Sequence, residues 1–422
     1  MLLLIYFLFL FATLKYLGNK SPGVLLLEIY IISLGCALLI GKDVDIDTFA
    51  KAWNLLFLAG ILTMFIMPWT RFDYRAAIAE PNPRKLRNLT VALVAINGLA
   101  FIVFAYICYS ALTQISNYTV FKNEGGSTDF VLDLPINHAV YLFAVYMHPT
   151  SYFLVPLHFY YLVRHKFAIS ILCLLLSMNV LLNGLTIFSR SGIALYIFLY
   201  LVYGQFFYKR LQVKVRKFVV ASGTVLGIMV IAVFSLITMN RFGEYGIYDR
   251  LGQDSNFISN PETYSVVDYA SQWYRNGSEV MARYSFETLN GQISFPLVLE
   301  IANKAKIINY SSDRMESELN SVWGDLYDRF NGIVPNLIFD LGYAGAIIFA
   351  MLYAFSLRCL GPTEGNISFS KMLTLGVMFM LPAMGIFGYA MRMATYNAAV
   401  LYAVIVYIYM TFDISFRRRR YA

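Results

Sequence analysis

Charged residues are scarce. Asp, Glu, Lys and Arg make up 14% of the 422 residues, against about a quarter of an ordinary soluble domain. That is too few to coat a globule. The same shortage, beside a hydrophobic content of 59%, excludes a disordered chain, a coiled coil and a collagen-like chain. Cysteine is equally sparse. Cys36, Cys108, Cys173 and Cys359 lie in or at the edge of apolar runs and are not paired at zinc-ligand spacing, so neither a disulfide framework nor a metal knuckle is indicated. The four histidines, His138, His148, His158 and His165, all fall in or beside one apolar run. The ten-residue steps from His138 to His148 to His158 rotate by about 280° on a helix, so these three share no face and offer no metal site by pattern. No internal repeat, low-complexity tract or linker is visible.

What the chain has in quantity is apolar runs, with a mean hydropathy of +0.61. A membrane-crossing helix needs about 20 mostly apolar residues. Eleven runs qualify: Met1–Leu17, Gly23–Ile40, Phe49–Pro68, Leu89–Ile115, His138–Val163, Phe167–Ile187, Ser191–Tyr208, Phe218–Met239, Val334–Leu357, Met372–Met391 and Ala398–Phe412. The first has no basic residues ahead of it, and its Lys15 follows the apolar stretch, so it reads as a span and not as a signal peptide. The expected fold is an all-α polytopic membrane protein of about 11 transmembrane helices. It divides into residues 1–239 (spans one to eight), 240–333 (one large loop) and 334–422 (spans nine to eleven with a basic tail).

Basic residues set the orientation. Alternate connections, from Lys20 through Arg71–Arg87, Arg164, Lys209–Lys217 and Lys371 to the Arg417–Arg420 tail, hold with Lys15 20 of the 33 basic residues and four acids. That face is expected to be cytoplasmic, which puts the N-terminus outside and the C-terminus inside. The basic tail reads as an anchor against anionic lipid, and nucleic acid is set aside. The segment Asn240–Ile333 then lies outside. A loop of this length is normally structured, and its apolar spacing predicts helices around Val266–Tyr284 and Pro296–Ile307, folded as a cap resting on the membrane surface.

Chemistry concentrates at the outer ends of spans. In Asn183-Gly-Leu-Thr-Ile-Phe-Ser-Arg-Ser-Gly192, Arg190 stands between Ser189 and Ser191 at the start of a helix, on the face where positive charge is least expected. A serine cap, free N–H groups and a guanidinium make an anion site; a snorkelling interfacial arginine is the alternative. Arg241 follows span eight, Arg329 precedes span nine, and Arg392 sits in the turn between spans ten and eleven. Together these four arginines suit an anionic ligand at the membrane boundary. Asp325, Asp328 and Arg329 are spaced to share one side of a helix, either as candidate catalytic groups or as a pair seating the loop. The string Asp43-Val-Asp-Ile-Asp47 is a solvated acidic turn or a metal site. Glu28 and Asp340 lie inside spans as buried acids.

The Ser-Arg-Ser-Gly hairpin, the large outer loop and the exit sequences Asp325-Leu-Tyr-Asp328 and Phe339-Asp-Leu-Gly-Tyr-Ala-Gly345 resemble bacterial lipid-linked oligosaccharide repeat-unit polymerases, the O-antigen or capsule polymerases of the Wzy type. The resemblance in architecture covers nearly the whole chain; the motifs cover roughly 30 residues and are degenerate. It implies a multi-pass protein of the bacterial inner membrane that joins undecaprenyl-diphosphate-linked glycan units on the periplasmic side. Donor and acceptor glycan lipids, membrane lipid and a chain-length regulator protein would be its partners, and nucleotide sugars are not used. The related ligases carry a His-Asn pair before the exit span, and here that neighbourhood has no histidine. A polyprenyl diphosphate is already a good leaving group, so arginines that hold it and a carboxylate (Asp325, Asp328 or Glu316) that accepts the acceptor's proton would suffice, without a metal or cofactor. The aromatic-rich loop is suited to stacking sugar rings. Two other readings stand beside this one: a ligase or other polyprenyl-dependent glycosyltransferase using Asp43–Asp47, and a transporter or flippase. A transporter is expected to show repeated halves and broken helices, neither of which the apolar runs display.

Overall fold

The computed structural model describes residues 1–40, 49–114, 130–186 (less 132), 191–228 (less 222, 225 and 226), 257–324 (less 259 and 286), 327 and 329–412. Among these, six helices are long and apolar enough to cross a membrane: Pro22–Ile40, Ala52–Arg71, Pro83–Ala111, Phe167–Thr186, Ile333–Leu360 and Ala394–Thr411. Shorter apolar helices cover Leu2–Tyr16, Gly192–Tyr208 and Phe369–Met384. The chain is an all-α membrane protein. Most of the expected eighth run, Phe218–Met239, and the acidic string Asp43–Asp47 lie outside the described residues.

In chain order the helices are α1 (Leu2–Tyr16), α2 (Pro22–Ile40), α3 (Phe49–Ile66), α4 (Pro83–Gln114), α5 (His138–Met147), α6 (Leu154–Val163), α7 (Phe167–Ser177), α8 (Asn179–Thr186) and α9 (Ser191–Tyr208). Then come α10 (Pro261–Ala282), α11 (Pro296–Lys304), α12 (Ser312–Trp323), α13 (Ile333–Leu360), α14 (Phe369–Met384) and α15 (Ala394–Thr411). Local chemistry starts several of them. Asn82 accepts the N–H groups of Arg84 and Lys85 (3.0 and 3.3 Å) ahead of α4, Asn137 caps α5, and Ser368 caps α14. These residue types satisfy donors that a first turn leaves open. Nearly every residue of α14 is buried, and the core forms around it.

One end of the bundle is knit together by polar contacts. Strand β1 (Ala77–Ala79) pairs in parallel with β2 (Asn366–Ser368), Lys85 Nζ donates to the Phe412 carbonyl at 2.8 Å, and Glu80 accepts from Tyr160 (3.2 Å) and pairs with Arg164. Arg210 donates to the Ala76 carbonyl. These are the connections that carry most of the basic residues.

Three expectations need correction. First, helices are broken. The run His138–Val163 passes through a 3₁₀ turn at His148–Phe153, α7 and α8 part at Met178, and α13 is interrupted at Gly342, with φ 72° and ψ 176°. A glycine within an apolar run leaves the hydropathy pattern intact, so such a break has no local signature. Second, the loop is not simply a cap at one end. Helix α10 lies alongside α2, with Trp273 buried against Tyr30 (ring centroids 5.3 Å apart) and donating to Ser33 Oγ. Its polar residues are paired inside this packing, Asp268 with Arg275 and with Gln272. Third, of the two acids expected to be buried in spans, Glu28 is partly exposed and paired with Lys15 at 3.2 Å; only Asp340 is buried.

The break in α13 explains that burial. An interrupted helix leaves carbonyls without their partners. The segment Leu289–Ser294 fills the gap: Leu289 N–H donates to the Phe339 carbonyl at 3.0 Å and Gly291 N–H to the Asp340 carbonyl at 3.4 Å. The Asp340 carboxylate accepts from Ile293 and Ser294 N–H at 3.0 and 2.9 Å.

Candidate functional site

At the opposite end of α13 and α14 from the strand pair, a cleft of about 410 Å³ opens between α12, the start of α13 and the turn joining α14 to α15. Arg329, Arg392 and Glu316 line it together. Each is supplied by a different device. Glu316 lies on α12, which Ser311 caps and which buries Met315, Leu319 and Trp323 at four-residue intervals. Arg392 ends a 3₁₀ turn, Ala390–Arg392, directly before α15. Arg329 lies four residues ahead of α13 and is exposed.

The guanidinium of Arg392 is preorganised. It pairs with the Glu316 carboxylate through both Nε (3.3 Å) and Nη2, and it faces the rings of Tyr327 and Trp323 at 5.2 and 6.0 Å. The Tyr327 hydroxyl donates to Glu316 and accepts from Arg392 at 3.1 Å. A fork held by a carboxylate and aromatic faces suits planar, two-pronged recognition of an oxyanion. Trp323, Phe330, Phe387 and Tyr389 give the cleft aromatic walls. Two buried polar atoms of its lining, Trp323 Nε1 and Asn336 Oδ1, have no hydrogen-bond partner among the described residues, a demand that a bound polar ligand would satisfy.

Of the arginines expected to gather, Arg329 and Arg392 share this cleft. Arg190, Ser189 and Arg241 lie outside the described residues. Ser191 begins α9, but its side chain also lies outside them. The neighbouring Gly192 is explained by packing: a Cβ there would sit 2.8 Å from the Val180 carbonyl oxygen of α8, so small residues bring these helices together.

Asp325 and Asp328 also lie outside the described residues. The helix expected to align them with Arg329 falls largely on those residues and so lies outside the described ones as well. Helix α12 ends at Trp323, with Gly324 at φ 58°, and the Tyr327 N–H donates to the Gly324 carbonyl at 3.0 Å. Sequence reasoning missed α12 as an element, although a serine cap followed by Met315, Leu319 and Trp323 was a usable signal. Among the described residues no group of three or more His, Cys, Asp or Glu could hold a metal ion. His148 and His158 are instead engaged with the Val145 carbonyl (2.6 Å) and the Ser170 carbonyl (3.0 Å).

Comparison with known proteins returned no match: no family model, curated protein or solved structure is similar to the chain.

Proposed function

We propose that this protein is a membrane glycosyltransferase that joins polyprenyl-diphosphate-linked oligosaccharide repeat units into a surface polysaccharide. The observation that carries the reading is the meeting of Arg329, Arg392 and Glu316, from three separate parts of the chain, in one aromatic-walled cleft at an end of the bundle. In this reading the cleft end faces the periplasm of a bacterial inner membrane, because the basic connections gather at the other end. The chain crosses the bilayer eleven times, counting Phe218–Met239.

The donor diphosphate lies between Arg329 and Arg392, which neutralise the charge that grows as the sugar–phosphate bond breaks. An acceptor sugar hydroxyl forms the new glycosidic bond at the donor's anomeric carbon, and polyprenyl diphosphate leaves. Glu316 and the diphosphate compete for the same guanidinium. Donor binding therefore releases Glu316 from Arg392 and leaves its carboxylate to accept the hydroxyl proton, with Tyr327 holding it in place. The aromatic walls stack sugar rings.

Deletion of the gene followed by gel analysis of surface polysaccharide tests the reading. Loss of a polymerase leaves lipid anchors capped by a single repeat, loss of a ligase leaves uncapped anchors, and an unchanged ladder defeats both assignments.

A further inference from the structure

At the other end of the bundle a second cavity, of about 330 Å³, is walled by the α1–α2 connection, the segment after α3 and the end of α9. Its lining carries four cations, Lys15, Lys20, Arg75 and Lys209, against one carboxylate, Glu28. Lys15 is held by Glu28 at 3.2 Å, and Arg75 by Asp73; Lys20 and Lys209 make no ion pair among the described residues. Three buried polar atoms of this lining have no hydrogen-bond partner among the described residues: Ser21 Oγ, Tyr74 Oη and Asn19 Oδ1. Ser21 is only 1% exposed, and its hydroxyl, placed where a serine normally caps a helix, does not cap α2. Buried hydroxyls left open beside ammonium groups suit an oxyanion.

Beside this cavity, and sharing Gln205 and Tyr208 with it, an apolar groove of about 440 Å³ runs along α9 against Val219, Val220, Gly223, Thr224 and Gly227. The groove is bordered by Ile197, Leu201, Val220 and Gly223. A cation-lined pocket adjoining an apolar groove matches the polarity of one molecule, an anionic head carrying a hydrocarbon chain.

We propose that this composite cavity binds an anionic phospholipid of the surrounding bilayer, its phosphate against Lys20, Lys209 and the Ser21 and Tyr74 hydroxyls and one acyl chain in the groove. Charge complementarity selects the head, since basic groups at a membrane surface draw anionic lipid, and the groove adjoining it at Gln205 and Tyr208 selects the chain. The site lies at the far end of the bundle from the Arg392 cleft and stands independently of the glycosyltransferase reading.

The test uses the full-length protein in detergent, titrated with dioctanoyl phosphatidylglycerol and followed by native mass spectrometry and melting temperature. Dioctanoylglycerol, inorganic phosphate and farnesyl phosphate serve as competitors. Saturable one-to-one binding of the phospholipid is expected, at least about tenfold tighter than any competitor. Lys20→Gln with Lys209→Gln should weaken it about tenfold. Gly223→Leu should do the same from the groove, where an added Cβ meets nothing within 4 Å among the described residues. Ser21→Ala and Tyr74→Phe remove only hydroxyls that have no partner among the described residues, so the empty protein should melt unchanged while phospholipid binding falls several-fold. These two carry the test if the lysine variants unfold early. Binding of dioctanoylglycerol as tight as the phospholipid would overturn the head site, and tighter binding of farnesyl phosphate would overturn the phospholipid assignment. Unchanged binding by the hydroxyl and groove variants would overturn the proposal as a whole.

Discussion

Asp340 holds Ser294, 46 residues earlier in the chain, by accepting its backbone N–H on Oδ2 at 2.9 Å. The same carboxylate takes the N–H of Ile293 on Oδ1. A buried acid inside an apolar helix is thus the fastening of a loop to a helix break.

Asp340→Ala should therefore destabilise the protein by about 2–5 kcal/mol, since each buried N–H left without an acceptor costs about 1–3 kcal/mol. Asp340→Asn, which retains one acceptor oxygen, should lose roughly half as much. Thermal unfolding in detergent gives the magnitude, and trypsin cleavage at Lys304 and Lys306 reports whether the segment has come loose. A variant Asp340→Ala that melts with the wild type would remove the fastening role.

Gly342 should resist substitution for a backbone reason. Its φ of 72° with ψ of 176° belongs to a region that side chains avoid at a cost of about 1–3 kcal/mol. A Cβ there would also press on the Tyr284 hydroxyl and Thr288 Cγ2 at 3.3 and 3.4 Å. Gly342→Ala is expected to lower the melting temperature and to raise cleavage of the same loop. If it left both unchanged, the break would be a tolerance of the sequence and not a constraint on it.

Arg392→Lys separates the proposed chemistry from folding. A lysine keeps the charge and the pairing with Glu316 but cannot offer two parallel donors to a phosphate. Turnover of a synthetic lipid-linked repeat by the purified variant should fall about 30–1000-fold, the effect of losing about 2–4 kcal/mol of transition-state stabilisation. Glu316→Gln should cost about 100-fold or more if the carboxylate accepts the proton, while the amide still hydrogen-bonds Arg392 and Tyr327. Near-normal turnover by Arg392→Lys, Arg329→Lys and Glu316→Gln alike would move the reaction out of this cleft.

Topology can be read without any activity assay. Reporter fusions after Lys217 and within 249–254 should give cytoplasmic and periplasmic signals respectively, because 20 of the 33 basic residues fall on the connections that include Lys217. The same signal at both positions would refute the eight-span path from the N-terminus to the large loop.

The membrane class was legible in the sequence because a bilayer acts on each helix separately. Length and hydropathy are local properties, and so are the caps Asn82, Asn137 and Ser368. Arg329, Arg392 and Glu316 could be named as candidates from position and residue type. Their meeting could not. Arg392 and Glu316 stand 76 residues apart, and the link depends on α12, whose apolar spacing is short and lies inside a polar loop. The helix break at Gly342 was equally hidden, since the run stays apolar through it and the groups that repair it come from Leu289–Ser294. Nor did the composition of α10 show that it would pack beside α2, where its charges find each other. Local pattern determined which segments become apolar helices. Tertiary structure decided where those helices break and which polar groups meet, because a buried donor or acceptor takes its partner from wherever the fold brings one within reach.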